Sequence, residues 1–306
     1  MSNKVMLTAA ITGAVTTPSM SPYIPQGSAQ IIDEAVKAYE AGASMVHIHA
    51  REAETGKPTS DIDAMYEIVS GIKKRCNVVI GITTGGALGM TPEERLAVIP
   101  KLKPEIASCN AGSMNFVLSP AAEKIKPIHD WEIPFLKNTY DYIFANTFKT
   151  IEYCINIMNE NGTLPEFEVF DVGMINNIAY FVKKGIVKQP IYLQFVTGVL
   201  GGIQCSVDNL SFLVKTAKEQ IGEFMWSCVA PGRQQFSVEA AALAMGGNAR
   251  VGLEDSLWLK RGQLAKSNAE QVTVMREIAE RMGFEIATPD EARKMLNLKG
   301  LDKVAF

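Results

Sequence analysis

Two of the chain's three histidines stand two residues apart in the segment MVHIHAR, residues 45–51. The residues next to them, Val46 and Ile48, are apolar, which is typical of a buried β-strand. Since alternate side chains of a strand point to the same face, His47 and His49 would lie side by side, with α-carbons roughly 6.5 Å apart. Two ring nitrogens at that spacing can bind one metal ion. The segment therefore predicts a metal site, and the alternative is that one histidine is simply part of the core.

A catalytic zinc site typically takes three protein ligands, so a third ligand is needed from another strand end. Glu254 fits best by its position at the end of the last predicted strand, and Glu168 is the rival. The remaining histidine, His129, lies in a long insert, where an ordinary surface or interface contact is expected. Two histidines and one carboxylate suit either a Lewis-acid zinc or a redox iron, and the ligand set does not separate them.

Arg250 and Asp255 flank the predicted third ligand and extend the chemistry of the site. Asp255 is a candidate general base, and Arg250 is a candidate partner for a carboxylate or a developing oxyanion. Together they suit proton abstraction next to a carbonyl group. A structural ion pair that closes the fold is the alternative.

These residues need a scaffold, and the chain alternates short apolar runs with amphipathic stretches about eight times. Such a repeat predicts a (β/α)₈ barrel, an α/β fold whose active site lies at the carboxyl ends of its strands. A doubly wound open sheet is the competing architecture. The predicted strands are Val5–Thr12, Ser44–Ala50, Asn77–Thr83, Glu105–Ala111, Pro165–Asp171, Pro190–Val196, Glu223–Val229 and Gly247–Leu253.

The barrel is favoured by the polar residues, which fall at one parity of several strands and would face the barrel interior. They would then converge on one mouth. These residues are Thr8, Thr12, His47, His49, Thr83, Ser108, Asn110, Glu168, Gln194, Ser227, Arg250 and Glu254.

Helix starts and one insert mark the boundaries between the strands. Thr91 and Thr288 each precede a proline and stand three residues before a glutamate, which predicts two capping boxes. An aromatic and polar insert after the fourth strand, Ser113–Asn146, is too long for an ordinary loop and is expected to be a lid or an oligomer contact. No linker divides the sequence, so we expect one catalytic barrel domain over residues 1–306, with a helical tail after Thr288.

Composition narrows the class of protein further. The formal net charge is −3 and the charges are spread along the chain, which argues against nucleic acid as a partner. The mean hydropathy is +0.06 and no apolar run approaches membrane-spanning length, so we expect no membrane segment. Five widely spaced cysteines without a CxxC pair, and no basic-then-apolar leader, predict a cytoplasmic protein.

The motifs of this sequence resemble those of the β-keto acid cleavage enzymes, the family of 3-keto-5-aminohexanoate cleavage enzyme. The resemblance covers essentially the whole chain and is specific to the family, though not to one substrate. In order, the motifs are LTAAITGA (7–14), HIHAR (47–51), TTGG (83–86), KPE (103–105), NAG (110–112), PEFE (165–168), QFV (194–196), GLED (252–255) and SNA (267–269).

The resemblance implies a zinc-dependent (β/α)₈ barrel that transfers the acyl chain of a β-keto acid to coenzyme A. In that reaction the keto acid condenses with acetyl-CoA, the coenzyme A moves within the adduct, and a retro-Claisen cleavage releases acetoacetate and a new acyl-CoA. A homo-oligomer is also implied. Chemically, zinc on the keto and carboxylate oxygens would acidify the CH₂ between them, so no redox cofactor is needed.

The resemblance also implies roles for individual residues. His47, His49 and Glu254 match the zinc ligands, and Arg250 and Asp255 match the pair that activates the substrate. The residues expected to contact the keto acid are Thr83, Gly86, Ser108, Asn110 and Val15.

Val15 departs from the aminohexanoate enzyme, which has an acidic residue at this position that meets the substrate's amine. An aliphatic side chain cannot pair with an ammonium group, and burying that charge unpaired would be costly. We therefore expect a neutral or apolar β-keto acid as substrate.

Two other functions stay open at this point. One is a metal-dependent aldolase or lyase that cleaves a carbon–carbon bond without acetyl-CoA, and the other is a barrel that binds a metal or metabolite without catalysis. The coenzyme A site is less defined: glycines at 198, 201 and 202, or Arg233 after the seventh strand, are candidates for phosphate contacts. Tight turns are the alternative explanation for these glycines.

Overall fold

A sheet of eight short parallel strands forms the centre of the protein, described by a computed structural model over residues 3–86 and 90–306. The strand order is β7-β6-β5-β4-β3-β2-β1-β8. The strands are β1 (Leu7–Ala10), β2 (Met45–Ile48), β3 (Val79–Ile82), β4 (Ile106–Asn110), β5 (Leu164–Val169), β6 (Tyr192–Val196), β7 (Met225–Val229) and β8 (Ala249–Val251).

Asn248 closes this sheet into a barrel. Its backbone N–H donates to the Trp226 carbonyl over 2.8 Å, and its side-chain amide donates to the same oxygen over 2.9 Å. A parallel bridge between Ser227 and Asn248 joins β7 to β8. The predicted (β/α)₈ barrel is confirmed, and the open sheet is excluded.

Helices surround the strands and cover their outer faces. In the described part of the chain, none is long and apolar enough to cross a membrane. They are α1 (Gly27–Glu40), α2 (Ile62–Arg75), α3 (Pro92–Leu96), α4 (Val98–Leu102), α5 (Glu132–Asn138), α6 (Phe148–Glu160), α7 (Val172–Lys183), α8 (Val207–Gln220), α9 (Gln235–Ala244), α10 (Asn268–Arg281) and α11 (Pro289–Met295).

Both predicted capping boxes are present. The Thr91 hydroxyl accepts the Glu94 N–H over 3.2 Å, while the Glu94 carboxylate accepts the Thr91 N–H over 2.8 Å. Thr288 and Glu291 repeat the arrangement at 3.3 and 2.9 Å. Each pair satisfies two N–H groups that the first helical turn leaves unbonded, which fixes where α3 and α11 begin.

The strands are shorter than predicted at several ends. Val5 does not continue into β1, because it pairs with Ile286 in a separate parallel bridge at the bottom of the barrel. β8 ends at Val251, because Gly252 adopts φ +151 and lies so close to β1 that a Cβ there would be 2.0 Å from the Ala10 carbonyl oxygen. This close approach turns the chain inward just before Glu254.

Two apolar cores result from the alternation along the strands. The larger core lies between the sheet and the helices. The smaller core fills the bottom of the barrel interior, where Met6 and residues from four strands pack against the tail that carries α11. This bottom core contains Met6, Met45, Val79, Ile106, Tyr192, Ala287, Ala292 and Leu296. Because the bottom is filled, the interior is left for polar groups only towards the carboxyl ends of the strands.

The insert at 113–146 packs over those carboxyl ends. The Glu132 carboxylate accepts the Ser19 N–H at 3.1 Å and the Ser19 hydroxyl at 2.7 Å, and Trp131 Nε1 donates to the Thr55 carbonyl at 3.2 Å. Ser19 and Thr55 belong to the loops after β1 and β2. The insert therefore reaches from β4 across the mouth to the loops after β1 and β2.

Candidate active site at the barrel mouth

The two predicted histidines converge at the carboxyl end of β2. Their Nε2 atoms lie 3.2 Å apart. His47 is buried and has Ala10 and Gly81 as its register partners on the neighbouring strands. These partners carry little or no side chain, so the imidazole has room inside the barrel.

Glu254 completes a triangle with the histidines. Its Oε1 lies 3.8 Å from His47 Nε2 and 3.5 Å from His49 Nε2. Ligands about 2.0–2.1 Å from a tetrahedral zinc ion would be roughly 3.3–3.4 Å apart, which is close to all three observed distances. Gly13 leaves room for the Glu254 side chain, since a Cβ at Gly13 would lie 2.4 Å from Glu254 Cγ. The three atoms are thus spaced as ligands of one metal ion.

The protonation states of His47 and Glu254 also favour binding of a cation. Burial lowers the pKa of His47 to about 3, so its ring is neutral and can act as a ligand. Burial alone would raise the pKa of Glu254, but the Arg250 guanidinium and the two imidazoles hold it well below its usual range. Glu254 therefore carries a negative charge, and its buried Oε2 has no hydrogen-bond partner among the described residues.

Arg250 joins the carboxylates at this site. Its Nε and Nη2 each donate to Asp255 at 2.9 Å, and Nη2 also donates to Glu254 Oε1 at 2.8 Å. Burial raises the pKa of Asp255, although the adjacent guanidinium opposes this change. A raised pKa makes Asp255 a stronger base than an ordinary aspartate once it is ionised.

A second layer holds Arg250 in place. Gln194 Oε1 accepts from Arg250 Nη1 at 3.3 Å, and Glu239 accepts the Arg250 backbone N–H at 3.1 Å. Gln194 Nε2 and Glu239 Oε1 are buried with no partner among the described residues. Burying such groups is costly unless a ligand or water pairs with them.

Four of the predicted substrate contacts lie on β4 or in the loop after β3, and the fifth, Val15, lies in the loop after β1. His49, Thr83 and Gly86 line one cavity of about 40 Å³. Ser108 is buried and its hydroxyl accepts the Thr84 N–H at 3.0 Å, which fixes the start of the loop after β3. Both polar atoms of the Asn110 amide are buried and have no partner in the described chain. Asn110 is therefore available to a ligand, whereas the Ser108 hydroxyl already has a structural bond.

Residues 4–298 match the profile of the family described as beta-keto acid cleavage enzyme. The chain belongs to this family. The resemblance inferred from the motifs is thus confirmed.

Two relatives of known activity span nearly the same length. One is 3,5-dioxohexanoate:acetyl-CoA acetone transferase from Paraburkholderia graminis, 45% identical over 305 residues, which cover 99% of this chain and 98% of the relative. The other is 3-keto-5-aminohexanoate cleavage enzyme from Fusobacterium nucleatum, 39% identical over 300 residues, which cover 98% of this chain and 100% of the relative.

A solved structure shares the fold. The ternary complex of ObcA with C4-CoA adduct and oxalate superposes with a TM-score of 0.73 at 21% identity, covering 91% of this chain and 68% of that chain. At this level of identity the match supports the barrel architecture alone.

Within this β-keto acid cleavage enzyme fold, the rival ligand Glu168 is not part of the metal triangle. The described cluster of possible ligands contains only His47, His49 and Glu254. Glu168 lies on β5, next to Asn110 in the register, and burial raises its pKa to about 8. His129 is partly exposed in the insert, where its backbone N–H donates to Glu132 at 3.0 Å.

Arg51 is a site residue for which the sequence predicted no role. Its buried guanidinium donates to the backbone carbonyls of Thr12, Gly13, Thr16 and Gly56 over 2.7–3.2 Å. Burial lowers its pKa to about 10, so it keeps its charge at neutral pH. Arg51 thereby ties the loop after β1, which carries the half-buried Val15, to the loop after β2. The signal in the sequence was an arginine directly after the apolar end of a strand.

Proposed function

We propose that this protein is a zinc-dependent β-keto acid cleavage enzyme that uses acetyl-CoA as co-substrate. His47, His49 and Glu254 would hold the metal, Asp255 would act as the base, and Arg250 would stabilise negative charge. The single observation that carries the proposal is the convergence of three metal-ligand atoms on a buried guanidinium–carboxylate pair within one barrel mouth. The name of the Paraburkholderia relative includes acetyl-CoA, which supports acetyl-CoA as the co-substrate.

The proposed reaction conserves every atom of its substrates. Carbon 2 of the β-keto acid loses a proton and forms a bond to the acetyl carbonyl carbon, and the coenzyme A thiolate leaves. The thiolate then adds to the original keto carbon. The bond between that carbon and carbon 2 breaks, giving acyl-CoA and, after carbon 2 regains a proton, acetoacetate.

Residues of this chain would perform the proton and charge transfers. Asp255 would accept the carbon 2 proton and return it to the departing carbon at the end. Arg250 lies within hydrogen-bond distance of Asp255 and would balance the negative charge that builds up on the substrate oxygens. A divalent metal ion, when bound, supplies Lewis-acid polarisation of a carbonyl group. Asn110, Thr83, Gly86 and Ser108 would orient the keto acid.

Val15 would limit the substrate to a neutral or apolar acyl chain. It is half-buried in the loop that Arg51 holds over the site. The relative named for 3,5-dioxohexanoate is more similar to this chain than the one named for the amine-bearing keto acid, 45% against 39%. An uncharged substituent next to Val15 avoids the cost of an unpaired buried ammonium group.

Isotope labelling gives a direct test of the reaction. Zinc-loaded protein is incubated with acetyl-CoA carrying ¹³C at the carbonyl carbon and with a panel of β-keto acids, and the products are read by mass spectrometry. The expected label is on the keto carbon of acetoacetate, with none in the new acyl-CoA.

Other label patterns would contradict the proposal. Labelled acetate together with a thioester of the intact keto acid would show simple coenzyme A transfer. Carbon–carbon cleavage without acetyl-CoA would favour the lyase alternative. Binding of metal and keto acid with no turnover across the panel would favour the non-catalytic barrel.

Two further measurements test the finer parts. The metal content of the purified protein is measured first. The metal is then removed with a chelator and the protein is reloaded with zinc or with iron, and zinc should restore activity under air.

For the substrate, 3-keto-5-aminohexanoate should be turned over far less efficiently than uncharged analogues, and Val15→Glu should narrow this difference in efficiency. Comparable turnover of the amine-bearing acid by the unmodified protein would refute the role of Val15.

A further inference from the structure

Charge is distributed unevenly around the barrel mouth. The segments that follow β7 and β8, residues 230–234 and 255–267, carry four cations and a single carboxylate, Asp255, which is already paired with Arg250. The segments after the other strands are either uncharged or net negative: 52–61 has three acids and one lysine, and the insert has more acids than lysines. This sector of the rim would therefore attract an anion. Its cations are Arg233, Lys260, Arg261 and Lys266.

Three of these cations are grouped together and face solvent. Trp258–Lys260 forms a hairpin with Gln263–Leu264 that places Arg261 in its turn, and the hairpin packs against the turn Gly232–Gln234. The Arg233 guanidinium carbon lies 5.8 Å from the centre of the Trp258 ring. Arg233, Lys260 and Arg261 are exposed, and none forms an ion pair with a described residue.

The same turn is joined directly to the catalytic loop. Gly232 N–H donates to the Asp255 carbonyl at 3.1 Å, and the Ser256 hydroxyl donates to the Gly232 carbonyl at 2.9 Å. The cation group is therefore held on the rim next to the residue proposed as the base. A ligand that reaches into the site could keep an anionic end on this rim.

We propose that Arg233, Lys260 and Arg261 bind the phosphate groups of acetyl-CoA, an inference that rests on the proposed function. Acetyl-CoA carries its phosphates at the far end of a long, uncharged arm, so its thioester can enter the mouth while the phosphates stay at the rim. Arginine and lysine are the side chains that bind phosphate best. The stacking of Arg233 on Trp258 restricts its guanidinium before the ligand arrives.

Neutralising the three cations tests this proposal. In the triple variant Arg233→Gln/Lys260→Gln/Arg261→Gln, the KM for acetyl-CoA should rise about tenfold, which corresponds to about 1.4 kcal/mol for the three contacts together. The KM for the β-keto acid should not change. The matched control Lys57→Gln/Lys124→Gln/Lys137→Gln removes the same net charge from exposed lysines elsewhere on the mouth loops. It should leave the KM for acetyl-CoA as it is.

Truncated donors locate the contact on the ligand. Acetyl-pantetheine lacks all the phosphates, so the triple variant and the unmodified protein should use it equally well. Acetyl-dephospho-CoA lacks only the 3′-phosphate: if the difference between the two proteins persists with this donor, the diphosphate is bound, and if it disappears, the 3′-phosphate is bound. An equal loss with acetyl-pantetheine would overturn the proposal, since the cations would then act on something other than phosphate.

Failure of this proposal is distinguishable from failure of the proposed function. An unchanged KM in the triple variant, with normal turnover of acetyl-CoA by the unmodified protein, overturns the rim site alone. If the unmodified protein does not turn over acetyl-CoA at all, calorimetric titration with coenzyme A decides. Binding that is weakened by the triple variant and not by the control supports the rim site, and absence of binding overturns it.

Discussion

Two buried arginines, one at each end of the barrel, bind carboxylates in different ways. At the bottom, Arg293 of α11 donates to Glu105 through Nε and Nη2 at 2.9 Å each, and to the Asn77 and Val78 carbonyls. At the mouth, Arg250 binds Asp255 and Glu254, but polar atoms around it have no partner among the described residues. The bottom pair is complete within the fold, whereas the surroundings of the mouth pair leave hydrogen-bonding capacity that a ligand or water can use.

The comparison shows that hydrogen-bond satisfaction, and not burial, distinguishes a structural charged pair from a functional one. Both arginines are buried, Arg250 on β8 and Arg293 on α11. A buried pair with all its bonds satisfied fastens the tail to the barrel. A buried pair next to the neutral His47 imidazole, and next to amides that have no partner among the described residues, bears an electrostatic cost. Binding of a cation and an anionic substrate would offset this cost.

The largest loss of activity is expected when a proposed metal ligand at the mouth is replaced. His47→Ala should lower kcat/KM by about a thousandfold, because Lewis-acid polarisation is worth several kcal/mol, while the melting temperature in the presence of a chelator changes little. Steady-state assays and metal analysis measure this. His129→Ala, the third histidine, is the control and should keep full activity and metal content. Equal losses in both variants would contradict the assignment of the site.

The two arginines themselves give the next test. Arg293→Met should lower the free energy of unfolding by about 3 kcal/mol, because Glu105 is left buried and unpaired, yet the folded fraction should keep its kcat/KM within about twofold. Arg250→Met should lower kcat/KM by at least about a hundredfold, because a donor to the developing negative charge is lost.

Denaturant unfolding measures the free energy of unfolding of both variants, and steady-state kinetics measures their kcat/KM. Arg281→Met, an exposed arginine near the end of α10, controls for the substitution itself. If the Arg293 variant lost activity as severely as the Arg250 variant without unfolding, the two ends of the barrel would not be functionally separate.

A smaller effect, on stability, is expected at Glu166, which unlike Glu105 has no arginine bound to it among the described residues. It lies inside the barrel with no ion pair among the described residues, and burial raises its pKa from 4.5 to about 7. A raised folded-state pKa stabilises the fold below the unfolded-state pKa, and that stability is lost as the pH rises through 7. Glu166→Gln, which stays neutral, should therefore gain stability relative to the unmodified protein by on the order of 2 kcal/mol between pH 5 and pH 8.

Unfolding of the metal-free protein at both pH values measures this gain. Glu223→Gln is a suitable control, because Glu223 is exposed before β7. A pH-independent difference between the Glu166 variant and the unmodified protein would show that Glu166 is not buried in its neutral form.

Much of the fold could be predicted because its signals are local. The period of two in the strands, the apolar neighbours of His47 and His49, and the threonine–proline–glutamate helix starts all act within a few residues of the chain. Strand periodicity and capping geometry follow from such local rules, so eight strands, two capping boxes and the paired histidines were predicted from the amino-acid sequence.

The tertiary structure decided which distant residues meet. Glu254 and Glu168 are equally plausible ligands by type, and only the closure of β8 onto β1, with Gly252 packed against Ala10, brings Glu254 to the histidines. Likewise, Arg51 finds its four carbonyl partners, Arg293 finds Glu105, and the insert contacts Ser19 only once the barrel has closed. These contacts join residues that are far apart in the chain, and their geometry depends on the packing of the whole barrel, which no local pattern encodes.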